Sequence, residues 1–110
     1  MAEAFKNAYQ DVGTSYTAIY TCPASTEGVV KSLLITNVDG SNSATISAKV
    51  LDSDNSTEAL IASTIEVPAN SRIDLCADSL IFLEADDDIQ LLASATGDLE
   101  AFISVLQITS

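Results

Sequence analysis

Carboxylates are the side chains most densely placed to do chemistry in this chain. Glu84-Ala85-Asp86-Asp87-Asp88 sets four acids within five residues, and Asp52-Ser53-Asp54-Asn55-Ser56, continuing to Glu58, gathers three more around an Asn. Oxygen-rich turns of this kind bind hard cations when their carboxylates and carbonyls converge. The Asp52 run opens like an EF-hand loop but lacks its geometry: Gly is missing at the sixth position, and Ser63 at the twelfth is no bidentate Glu. A solvated hairpin loop is expected there, and the Asn55-Ser56-Thr57 glycosylation pattern within it is read as loop. For Asp86-Asp87-Asp88 three readings stand: a metal, a basic partner, or simple hydration of crowded like charges.

Paired carboxylates also hydrolyse glycosides when they face a sugar across about 5–10 Å. The chain argues against this, with no His, no Trp and a size that leaves little room for a cleft. Without His, and without a Ser-x-x-Lys pattern, no Ser or Thr has an activating base. Gly13, Gly28, Gly40 and Gly97 are scattered and form no phosphate loop. No catalytic residue and no cofactor are expected. Cys22 and Cys76 are too few for a disulfide framework and too isolated for a zinc site. Free, buried thiols are the simplest reading, with a Cys22 to Cys76 bridge as the alternative.

Composition narrows the partners. The chain has 110 residues, a net charge of −12 and 47% hydrophobic content, with a mean hydropathy of +0.29. That length suits one domain, and that apolar content suits a folded one. No apolar run approaches the ~20 residues of a membrane span. Phosphate backbones would be repelled, so neither nucleic acid nor membrane is an expected partner. Met1 to Lys6 has neither a basic start nor an apolar core, so no secretory leader is expected.

The elements that must position these residues read as strands. In Ala44-Thr45-Ile46-Ser47-Ala48-Lys49-Val50 the apolar residues alternate with Thr45, Ser47 and Lys49, which places one set on a core face and the other in water. The same alternation sets Ile61, Ile65 and Val67 inward, then Ile73 and Leu75, then Ile89, Leu91 and Ala93. In the last strand Leu99, Ala101, Ile103 and Val105 oppose Glu100, Phe102, Ser104 and Leu106, so its second face is unusually apolar and should be covered. Val29 to Thr36 is apolar on both faces, as a central strand would be, and Ser15 to Thr21 is expected to lie beside it. Clusters at Asp39-Gly40, Pro68-Ala69-Asn70-Ser71 and Gly97-Asp98 supply turns. About eight short strands with polar turns predict an all-β, single-domain antiparallel β-sandwich, jelly-roll or immunoglobulin-like. Residues 1–13 are expected to be an N-terminal arm or edge strand, and 14–110 the sandwich domain.

The succession Tyr20-Thr21-Cys22-Pro23-Ala24, Gly28-Val29-Val30-Lys31-Ser32-Leu33-Leu34-Ile35-Thr36-Asn37, Val67-Pro68-Ala69-Asn70-Ser71, Leu80 to Asp87 and Ala93 to Ala101 resembles small β-sandwich virion proteins of tailed bacteriophages, of marine and cyanophage type. Within that class it is most similar to capsid decoration, or cement, proteins. The resemblance implies a non-enzymatic virion structural protein that stabilises the capsid by bridging capsomers. Its implied partners are the major capsid protein or other virion proteins and further copies of itself, as a homotrimer, in a virion assembled in the host cytoplasm. A neck, tail or baseplate component, or a host- or carbohydrate-binding module, is the alternative. Candidate contact residues are Phe5 and Tyr9 in the N-terminal segment, if they are not core plugs, and Phe102 and Leu106 on the second face of the last strand.

Overall fold

A computed structural model describes residues 2–54 and 56–109. Asn55, and with it the glycosylation pattern, lies outside the described residues. Among the described residues nine strands follow one another: β1 (Ala2–Asp11), β2 (Thr17–Thr21), β3 (Thr26–Asn37), β4 (Ala44–Asp52), β5 (Thr57–Val67), β6 (Arg72–Asp74), β7 (Ile81–Leu83), β8 (Asp88–Ala93) and β9 (Leu99–Thr109). Among the described residues there is no helix, and hence none long and apolar enough to cross a membrane.

The strands form two antiparallel sheets, ordered β1-β9-β3-β6 and β2-β8-β4-β5, with β7 also paired to β3. β6 and β7 meet successive stretches of β3, Leu34 to Thr36 and Gly28 to Val30, and so behave as one interrupted strand. β4 pairs with β5, β3 with β6 and β7, β2 with β8, and β1 with β9. These pairs nest like a long hairpin rolled over on itself, with β4 and β5 at its tip, which is the jelly-roll order of strands rather than the immunoglobulin one. The N-terminal strand β1 is hydrogen-bonded along its whole length to β9 and forms one edge of the first sheet. β2 does not lie beside β3 as the sequence reading expected. It belongs to the opposite sheet, against β8, because the Pro23 to Ser25 turn carries the chain across the sandwich, with Ser25 at φ +56°.

Alternation builds the core where the strands are regular. Leu99, Ala101, Ile103 and Val105 of β9 are buried, as are Ile89, Leu91 and Ala93 of β8 and Ala44, Ile46 and Ala48 of β4. In β3 the buried Val30 and Leu33 are three residues apart, which a regular strand would put on opposite faces. A bulge resolves this: Val30 pairs with Val105 and Ser32 with Ser104, leaving exposed Lys31 as the extra residue. Asp74 completes the bulge by accepting the Leu33 amide at 3.1 Å.

β5 departs from the expected pattern. Its register against β4 slips twice, between Ile46 and Ala48 and between Ala48 and Lys49, and Thr64 adopts φ +48°. These two extra residues break the period, so Ala62 and Val67 are buried while Ile61 and Ile65 are 38% and 40% exposed at the sheet edge, not inward. Ser47, expected in water, is buried instead, because its hydroxyl accepts the amide of the bulged Thr64 at 2.9 Å.

Candidate interaction face

Because the inner side of β9 is filled by core residues, Phe102 and Leu106 project from the outer side of the first sheet. Pairing of β1 with β9 sets Phe5 directly opposite Leu106 and Tyr9 directly opposite Phe102. Residues opposite each other on adjacent strands share a face, with side chains about 4.5–5.5 Å apart at Cβ. The four residues singled out in the sequence therefore form two neighbouring pairs on one outer surface. Phe5 is 75% exposed and Tyr9 57%, so neither is a core plug, and Phe102 remains 41% exposed.

The face is wider than these four residues. On the other side of β9, Leu106 pairs with Val29 and Phe102 with Leu34, and across β3 Val29 pairs with Phe82. One row thus runs Phe5, Leu106, Val29, Phe82 over four strands, ending on a Phe that is 72% exposed. The signal for Phe82 was present in the sequence: it lies between Ile81 and Leu83, which turn inward, so it must point out. Polar residues border this patch. Asn7, Ser104 and Ser32 separate the two apolar rows, Glu3 and Glu27 flank one end, and Asp11 and Glu100 the other. The Tyr9 hydroxyl donates to the Asp11 carboxylate, and this bond, with desolvation and the adjacent negative charges, pushes the phenol up to about 12.

The two acidic runs, separate in the sequence, converge in space. Carboxylate oxygens of Asp52, Glu84 and Asp87 lie within 4.8 Å of one another. Asp54, Asp87 and Asp52 raise the Glu84 carboxyl above its ordinary value by charge repulsion. Asp87 itself is buried and already used as an acceptor: one oxygen takes the Ser53 amide at 3.0 Å, the other the Glu84 amide at 2.9 Å. Its backbone carbonyl takes the Cys22 amide at 2.8 Å. Asp87 is therefore a clamp joining the β4 to β5 loop, the β7 to β8 turn and the end of β2. Glu58 is drawn elsewhere, to Lys49 at 2.8 Å, and the Lys49 ammonium also sits 4.2 Å from the Tyr16 ring centroid.

Cys22 and Cys76 are free and buried. Burial pushes both thiols up from their ordinary range, which keeps them protonated and poorly nucleophilic.

No family model matches the chain, and no curated protein matches it. Solved structures share its fold. A chain from Bacillus endospore appendages, a family of disulfide-linked pili, has a TM-score of 0.55 at 16% identity, covering 98% of this chain and 87% of that one. A chain from the acid-stable capsid of Helicobacter pylori bacteriophage KHP30 has a TM-score of 0.54 at 10% identity, covering 97% and 87%. A chain of infectious bursal disease virus, Gx strain, has a TM-score of 0.57 at 10% identity, covering 96% of this chain but only 31% of that one. Identities this low establish a common β-sandwich.

Proposed function

We propose that this protein is a non-enzymatic structural component of a bacteriophage virion, which decorates the capsid and stabilises it by bridging neighbouring capsomers. The observation that carries this reading is the aromatic patch on the outer face of the first sheet, Phe5 and Tyr9 against Leu106 and Phe102. A contiguous exposed apolar patch in a charged, soluble-type sequence marks an interaction surface. Support for a virion setting comes from the phage and viral capsid chains that share the sandwich, together with the sequence resemblance to phage virion proteins. Residues 1–13 supply the β1 half of the contact, Phe5 and Tyr9, and residues 14–110 the rest of the sandwich with the β9 half, Leu106 and Phe102. The partner is the major capsid protein, with a homotrimer at the site of attachment. Binding to a larger lattice would also stabilise a small domain by mass action.

Quantitative mass spectrometry of purified virions, with the major capsid protein as the internal standard, tests this reading. A copy number comparable with that of the capsid protein supports decoration. A number typical of a single ring or fibre moves the protein to the neck, tail or baseplate, and absence from the particle overturns the virion role. Contact through the aromatic patch is tested by Phe5→Ser with Tyr9→Ser in a capsid-binding assay. Deleting the segment would be less informative, since β1 pairs along its whole length with β9 and its removal strips an edge from the sheet. Unchanged affinity in the double variant would exclude the patch as the capsid contact.

A further inference from the structure

Beside the aromatic row, the outer face of the first sheet dips into a groove of about 290 Å³ where β3, β7 and the end of β9 meet. Its walls are Val29, Phe82, Leu83 and Ile108, and the exposed acidic residues Glu27 and Glu84 complete its lining. The volume lies at the bottom of the range for small-molecule sites, about 300–1,000 Å³, and suits a single inserted side chain better than a free ligand. An apolar side chain in this position would leave both acids without a counter-charge. A long basic side chain would not, because its aliphatic stem covers apolar surface while its charged head stays with the acids.

We propose that this groove receives a lysine or arginine that projects from an otherwise apolar surface of a partner protein, with the surrounding apolar surface resting on the row Phe5, Leu106, Val29 and Phe82. Charge complementarity selects this occupant over the others. The net charge is −12, with only four Lys and Arg in the chain, so a second copy would bring mostly like charge to the groove. One of those four, Lys49, is already held by Glu58 and Tyr16 on the other sheet. Repulsion from Asp54, Asp87 and Asp52 already opposes ionisation of Glu84, and an incoming cation relieves it. The exposed Phe82 ring offers the same cation a π face. The inference concerns the chemistry of the partner and does not depend on whether that partner is a capsid protein.

The test is an NMR titration of the full chain with the tripeptide acetyl-Leu-Arg-Leu-amide, run against the same peptide with citrulline, which keeps the shape of arginine without its charge. The arginine peptide at millimolar concentration is expected to shift the amides of Glu27, Val29, Phe82, Leu83 and Ile108. It should bind about fivefold more tightly than the citrulline peptide, the margin for two exposed ion pairs. In the double variant Glu27→Gln, Glu84→Gln, whose native spectrum confirms folding, the preference should vanish. Equal binding of the two peptides, or no shift at these amides, would overturn the proposal. So would concentration-dependent self-association in sedimentation that perturbs the same amides, because it would assign the groove to a second copy. A virion lacking this protein would remove the capsid as partner and leave the arginine preference intact, so the two readings fail separately.

Discussion

Asn37 ends β3 as a buried amide with every polar atom occupied. Its Nδ2 donates to the Val67 carbonyl at 2.9 Å and the Asn42 carbonyl at 3.0 Å, and its Oδ1 accepts the Asp39 amide at 2.9 Å. One side chain therefore ties the end of β3 to the end of β5 and to the turn before β4. Replacing it with Ala leaves the buried Val67 carbonyl short of a donor, and Asn37→Ala is expected to lower stability by roughly 2–4 kcal/mol. Urea unfolding at fixed pH measures it, and a loss below about 1 kcal/mol would mean that water replaces these bonds without strain. Asp39 continues the turn by accepting the amides of Ser41 and Asn42, first that of Ser41, and these hold its carboxyl below the usual range. The sequence marked this Asp39-Gly40 region as a turn and ended the strand before it at Thr36, but it did not single out Asn37 as a tie. Its partners, Asn42 and Val67, are 5 and 30 residues away in the chain, and no local pattern shows the longer link.

At the scale of elements, bulges decide which face each residue takes. Lys31 is the inserted residue that lets Val30 and Leu33 both reach the core while Val29 and Leu34 both reach the outer face. The number of residues here matters more than the charge of Lys31. Lys31→Ala is expected to change stability by less than about 0.5 kcal/mol, whereas insertion of a further Ala after Lys31 should prevent cooperative folding, since a one-residue slip turns half of β3 inside out. Circular dichroism melts of the two variants distinguish these outcomes. A cooperative melt in the insertion would show that the bulge can absorb a second residue. In β5 the corresponding device is Ser47, whose hydroxyl takes the Thr64 amide where the ladder is broken. Ser47→Ala should cost about 1–2 kcal/mol and speed hydrogen exchange at Thr64 ahead of its neighbours. Exchange at Thr64 as slow as in the parent chain would refute that role.

For the whole molecule, the excess of acid sets the response to pH. The Asp88 carboxyl is raised mainly by desolvation and the Glu84 carboxyl mainly by neighbouring charge, so the folded state holds protons on both more tightly than the unfolded chain does. Stability should therefore increase as pH falls from neutrality through the raised values toward the ordinary ones, 3.8 and 4.5. Below that window the gain ends, and Asp39, whose lowered value has the opposite sign, begins to lose its turn contacts. Thermal melts from neutral to mildly acid pH are expected to show a rising midpoint, and a midpoint that falls steadily over this range would contradict the assignment. The sequence by itself determined the all-β class, the position of most turns, the inward sets of β8 and β9 and the apolar outer side of β9, because a period of two and the dihedral needs of turn residues are local properties. Phe5, Tyr9, Phe102 and Leu106 could be singled out in the same way, but not their meeting on one surface. That juxtaposition, the jelly-roll order, the placement of β2 in the second sheet and the convergence of Asp52 with Glu84 and Asp87 were decided by tertiary structure. Each depends on which strands pair across long stretches of chain, and pairing is set by burial of both sheets together, a quantity that no single segment carries.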